Sequence, residues 1–233
     1  MQTNYSPIFN RAVLILQITL LLFIMNGCKQ NSRDTVNNTS ASVNHLQRLL
    51  NGNERFSHLK PRHPDEDLQR LKEAAIVQHP YAVVICCSDS RVSPELLFDE
   101  GIGDLFVIRT AGNIIGGVEI GSVEYAVEHL GVKLIVVMGH ENCGAIKAFV
   151  EGGNAPGHIK DIVDSIGNES EIIAIPKNNK DRLEKCVTAN VLHAVKQLQQ
   201  QSLILQEKKS EGDIQIIGTR YDLNDLKITI LQP

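Results

Sequence analysis

Tryptophan is absent from this chain, and aromatic residues make up only 4% of its 233 positions. A core without large rings has to be filled by aliphatic side chains, as in a parallel sheet buried on both faces. Net charge is small, −4, from 23 basic and 27 acidic residues. That mixed balance excludes a protein that grips nucleic acid through a strongly basic face. No internal repeat recurs, so a repeat architecture is excluded as well. Long apolar runs are scarce: the one that stands out is Ala12 to Met25, 14 residues. It is shorter than the roughly 20 residues a membrane-crossing helix needs, and it matches the apolar centre of an export signal. What remains, 42% hydrophobic residues in 233, is enough for one globular domain with a sizeable core.

Arg11 precedes the apolar run, and Asn26-Gly27-Cys28 ends it. A small residue followed by cysteine at that point resembles the lipobox of bacterial lipoproteins, whose cysteine is lipidated and becomes the new N-terminus. An ordinary cleaved signal and an uncleaved anchor are the alternatives. Residues 29–42 are rich in Asn, Ser and Thr and nearly free of apolar side chains, the composition of a flexible tether. The expectation is a signal over 1–27, a tether over 28–42 and a folded domain over 43–233. The protein would be exported to the periplasm or cell envelope and held to the membrane only through Cys28.

The folded part alternates helical and strand patterns, which predicts an α/β fold: a mostly parallel central sheet of about five strands, flanked by helices, with an antiparallel edge strand. Amphipathic helices are expected near 45–56 and from Pro64 or Asp65 to Val77, the latter with Leu68, Leu71, Ala75 and Ile76 on one face. Strands are expected at 81–85, 104–109, 133–138, 214–217 and 226–231. The last two are joined by so short a link, Asp222 to Asp225, that a hairpin follows. Ser93-Pro94-Glu95 opens a helix, and Gly131 closes another that runs from Val118. Further helices are expected over 144–150 and 158–166, and a long one over 179–205.

Two stretches sit just past buried strands, where α/β sheets gather their functional groups. One is Cys87-Ser88-Asp89-Ser90-Arg91. The other is His140-Glu141-Asn142-Cys143-Gly144, beginning 53 positions after Cys87. If the strands are neighbours, Cys87, His140 and Cys143 meet. Two thiolates and an imidazole suit Zn2+, and three protein ligands leave a fourth position open for catalysis. Cys86 alternates with Cys87 and should point into the sheet packing. Cys186 lies on a helical stretch. A Cys86–Cys186 disulfide is conceivable, but free buried thiols are the expectation.

The pair Cys-x-Asp-x-Arg and His-x-x-Cys closely resembles the fingerprint of the β-class carbonic anhydrases. The likeness extends from about Val43 to the C-terminus and includes Gly52-Asn53, Arg55-Phe56 and the closing Gly218, Tyr221, Asp222 and Leu223. It implies a zinc enzyme that interconverts carbon dioxide and bicarbonate by attack of zinc-bound hydroxide on CO2. By the same likeness, Asp89 orients the nucleophile and Arg91 holds Asp89. Asp89 becomes a fourth zinc ligand when that pair opens. Gln78, Phe106 and Tyr125 match the substrate-pocket positions, and the Gly144 N–H would steady an oxyanion. Because the family's pocket is shared between subunits, a homodimer or homotetramer is implied. Some members close at low pH through a site that uses a tryptophan; with none here and Gln78 in place, the chain resembles the constitutively open kind.

Overall fold

The computed structural model describes residues 42–231. The expected signal, the tether up to residue 41 and Cys28 lie outside them. The first helix, α1, covers 42–57. It is followed by α2 (Leu68–Ala74), β1 (Ala82–Cys87), α3 (Pro94–Leu97), β2 (Leu105–Thr110), a 3-10 turn (Ala111–Asn113), α4 (Gly117–Leu130) and β3 (Leu134–His140). Then come α5 (Gly144–Glu151), α6 (Ile159–Gly167), α7 (Ser170–Ile173), α8 (Arg182–Gln201), α9 (Leu203–Ser210), β4 (Gln215–Tyr221) and β5 (Ile228–Leu231). The sheet runs β2-β1-β3-β4-β5, parallel except for the antiparallel β4–β5 pair. This is the expected fold class, including the hairpin at the end.

Every residue of β1 and of β3 is buried, because helices cover both faces of the central strands. Alternation divides their side chains. Val83, Ile85, Ile135 and Val137 face α4 and α8, packing with Val123, Val191 and Leu198. Ala82, Val84, Cys86, Leu134, Val136 and Met138 face the other way, onto Leu49 of α1 and Leu97 and Phe98 at the end of α3. Each fully buried aliphatic side chain contributes about 1.5–3 kcal/mol. Two layers of such residues offset the scarcity of aromatics.

α1 is held by its Gly52-Asn53 pair. A Cβ on Gly52 would stand 1.7 Å from the Phe98 carbonyl oxygen, so only glycine lets the helix come this close. Buried Asn53 donates to the carbonyls of Leu97 and Leu226 and accepts from the Ile228 N–H. One amide thus ties the first helix to the last strand.

Several expected elements change. The long helix breaks at Ser202, whose hydroxyl caps α9 by accepting from the Leu205 N–H and also donates to Glu124 of α4. α7 was not expected. α2 is shorter than expected, capped by Asp67, and buries no residue: Leu68, Leu71, Ile76 and Val77 are all exposed. β1 and β3 each extend two residues beyond the expected strand, so that Cys87 and His140 are strand residues. Cys86, Cys87, Cys143 and Cys186 are free and buried, with no Cys86–Cys186 bond.

A cavity of about 260 Å³ lies among the 113–115 turn, α6, the α6–α7 junction and α8. Glu169, on its wall, is 5% exposed. Burial, and then the charge of Glu171, push its carboxyl up to about 8. An acid raised in this way binds its proton more tightly folded than unfolded, so stability is lost as pH climbs from about 4.5 towards 8. Glu169→Gln should remove that slope. Urea unfolding at pH 5 and pH 8.5 should show the variant gaining on the parent by at most about 4 kcal/mol. An equal gap at both pH values would mean that Glu169 is ionised in the fold.

Candidate metal centre

β1 and β3 are neighbours, pairing Cys86 with Met138, so their carboxyl ends bring Cys87 and His140 side by side. Chain reversal after β3 returns Cys143 as the N-cap of α5. The three side chains offer ligand atoms within 4.8 Å of one another, the one such group among the described residues. Their residues are 5%, 0% and 1% exposed in the order Cys87, His140, Cys143.

The donor chemistry fits zinc. Cys87 Sγ and Cys143 Sγ are 4.0 Å apart, near the ~3.8 Å that two Zn–S bonds of about 2.3 Å subtend at a tetrahedral angle. His140 Nδ1 donates to the Glu141 carbonyl at 2.9 Å, which leaves the Nε2 lone pair facing the sulfurs. Nε2 is buried and has no hydrogen-bond partner, a state folded proteins seldom tolerate without a metal or water to relieve it. The hydrogen bond from Cys143, outweighing burial, pulls the Cys87 thiol well below its usual range. Cys143 is pushed up by the thiolate it then faces and by burial, while the Ala145 and Ile146 N–H groups at the start of α5 work the other way. Two thiols that share one proton in this way are poised for a cation to replace it.

Asp89 lies beside them, its Oδ2 3.8 Å from His140 Nε2. Arg91 grips both its oxygens, Nε to Oδ1 at 2.9 Å and Nη2 to Oδ2 at 2.8 Å, and adds its own backbone N–H. The Arg91 hydrogen bond holds the Asp89 carboxyl well below the usual range. Gly144, next to Cys143, is exposed at the first position of α5.

Gln78, Phe106 and Tyr125 lie elsewhere in the fold. Phe106 is in register with Val83, four residues and about 13 Å down the strand from Cys87, and Gln78 precedes the start of β1. Phe106, Tyr125 and His129 form an aromatic row with centroid spacings of 6.4 and 5.0 Å. Tyr125 is 46% exposed and is therefore not core.

Sequence reasoning missed the groups that brace the loops. Arg109 at the end of β2 donates to the Asp89 and Cys87 carbonyls at 2.8 and 3.3 Å. Its signal was a lone cation closing an apolar strand. Glu184 of α8 accepts from the Asn142 N–H and pairs with Arg220. The Gly112 N–H reaches Cys87 Sγ at 3.3 Å. No local pattern announces the last two.

A parallel α/β sheet with an open Cys-His-Cys centre at its carboxyl edge defines a zinc metalloenzyme. Comparison with known proteins narrows this. Residues 82–228 match the family described as carbonic anhydrase. A carbonic anhydrase of Mycolicibacterium smegmatis is 40% identical over 186 residues, 78% of this chain and 89% of that protein. Carbonic anhydrase 2 of Mycobacterium tuberculosis is 37% identical, covering 76% and 86%. Among solved structures, the β-carbonic anhydrase CcaA aligns over 81% of this chain and 95% of its own, with 29% identity and a TM-score of 0.64. One of the two tetrameric β-carbonic anhydrases of Sordaria macrospora aligns over 70% and 86%, with 27% identity and a TM-score of 0.63. The chain belongs to the carbonic anhydrase family, in its β class: a zinc-dependent lyase that interconverts carbon dioxide and bicarbonate.

Proposed function

We propose that the reaction runs where Cys87, His140 and Cys143 converge, with Asp89 and Arg91 as its catalytic pair. The supporting observation is the two-pronged Asp89–Arg91 grip 3.8 Å from the unpartnered His140 nitrogen. Zinc held by the three ligands supplies a hydroxide nucleophile near neutral pH, where free water would need a pH near 15.7. Asp89 Oδ2 keeps a lone pair beyond its bond to Arg91. There it would accept a hydrogen bond from the attacking oxygen, staying ionised itself, and so turn that oxygen's lone pair to the carbon. Arg91 keeps Asp89 in place for this and away from the ligand position. The Gly144 N–H, at the positive end of α5, steadies the substrate oxygen that gains charge.

A second copy of the chain completes the pocket with Gln78, Phe106 and Tyr125: in their own chain Gln78 precedes β1, Phe106 sits about 13 Å down the sheet from Cys87 and Tyr125 packs beside Phe106, too far to serve the same site. Two features support this: β2 is an unpaired edge among the described strands, and the apolar side chains on and after α2 are uncovered. An assembly of two or four subunits follows; the Sordaria macrospora relatives are tetrameric. Gln78→Ala alone should lose about 100-fold in kcat/KM, and Asp89→Ala should be inactive. Co-expressed, the two chains should form mixed assemblies holding sites with both residues intact, and activity should rise above either parent. Activity no greater than the sum of the parents would place Gln78 and the site it serves in the same chain.

Export with a lipid on Cys28 belongs to the same proposal, supported by the 14-residue apolar run, Gly27-Cys28 and the polar stretch that follows. Radiolabelled palmitate should enter the expressed chain and be lost in Cys28→Ser. Continued labelling and membrane retention of that variant would overturn it.

A further inference from the structure

We infer that Asn190 is a positioning residue for the metal centre, holding Gly112 so that its N–H donates to the sulfur of Cys87. The inference rests on Cys87 being a zinc ligand. Asn190 is 2% exposed, and buried Val187, Val191 and Ala194 share its helix. Its Nδ2 donates to the Gly112 carbonyl at 2.8 Å, across 78 residues of sequence. On the other side of the same residue, the Gly112 N–H meets Cys87 Sγ.

The segment would not hold this shape unaided. Gly112 has φ +70 and ψ 21, and Asn113 after it also has positive φ, 47. Two consecutive left-handed residues persist only where the surroundings over-determine them. Glycine suits 112 on two counts: its φ is left-handed, and a Cβ there would stand only 3.0 Å from the Ala145 Cβ on α5. The N–H and C=O of Gly112 lie on successive peptide planes. Tying the C=O to rigid α8 fixes where the N–H points.

The consequence falls on the metal. Two thiolates give an ion more electron density than three imidazoles would, which weakens it as a Lewis acid. A hydrogen bond to thiolate sulfur draws some of that density back, one of the levers by which outer-shell groups tune a metal site. The Gly112 N–H, at 3.3 Å from the sulfur, is such a donor.

Cobalt(II) in place of zinc makes this visible, since thiolate-to-cobalt charge-transfer bands report how easily the sulfurs give up density. Asn190→Ala and the near-isosteric Asn190→Asp, each loaded with one cobalt, should show the band moved to longer wavelength than in the unmutated protein. A band that does not move while the melting temperature falls would make Asn190 a packing residue only and overturn the inference. If the unmutated protein takes up cobalt without any thiolate band, Cys87 is not a ligand and the underlying site reading fails instead. Should neither variant fold, the unmutated protein loaded with cadmium-113 decides: a scalar coupling between the metal and the Gly112 amide proton is expected, and its absence overturns the inference.

Discussion

Cys143→Ser should lose zinc, carbon dioxide hydration and part of its stability together. Cys143 is 1% exposed, 4.0 Å from Cys87 Sγ, and it caps the helix that closes the site. Serine keeps the shape but offers a neutral hydroxyl where zinc requires a thiolate. The loss of affinity should exceed the roughly 10- to 100-fold that removing an outer-shell partner costs. Without the metal, His140 Nε2 is left buried and unpaired, at about 1–3 kcal/mol. Metal binding and folding are coupled in such sites. The variant should therefore melt no higher than the unmutated protein after chelation, bind less than stoichiometric zinc and hydrate carbon dioxide at the uncatalysed rate. A Cys143→Ser protein with one zinc per chain and full activity would contradict the ligand assignment.

Arg91→Ala should do the reverse: keep zinc and lose turnover. Arg91 is what holds Asp89, through two side-chain hydrogen bonds and a backbone N–H. Released, the carboxylate has the open metal position within reach, since Oδ2 is already 3.8 Å from His140 Nε2. Carboxylate oxygen is a competent zinc ligand. Less than about 1% of kcat should remain, with one zinc per chain by metal analysis. The same pairing sets the pH behaviour of the unmutated enzyme. Arg91 depresses the Asp89 pKa, so the stability this carboxylate contributes is present above its unfolded value of about 3.9 and is lost only as pH falls below that. Between pH 6 and 9 Asp89 stays ionised and paired. Activity should then follow one ionisation without a cooperative collapse. A steep loss just below pH 8, or zinc lost from Arg91→Ala, would break this reading.

Much of the site was legible because it depends on short-range rules. Strand alternation separated Cys86 from Cys87, and the structure places them in different packing clusters. Strand-end placement paired Cys87 with His140, and the short link before the last strand made it antiparallel. Gly131, expected as a helix cap, adopts the left-handed conformation that role requires. What escaped depends on long-range partners. The helical pattern runs unbroken through Ser202; the break there is stabilised by a hydroxyl bond to Glu124 on another helix. α2 reads as amphipathic, yet among the described residues its Leu68 and Leu71 stay exposed. The Asn190–Gly112–Cys87 chain joins three segments with no common spacing.

The most direct test of a single catalytic zinc at Cys87, His140 and Cys143 is a zinc titration of the chelator-stripped protein, followed by stopped-flow carbon dioxide hydration. Activity should be absent at first, rise in proportion to bound zinc and stop rising at one zinc per chain. Hydration by the metal-free protein, or a rate that does not track bound zinc, would contradict it.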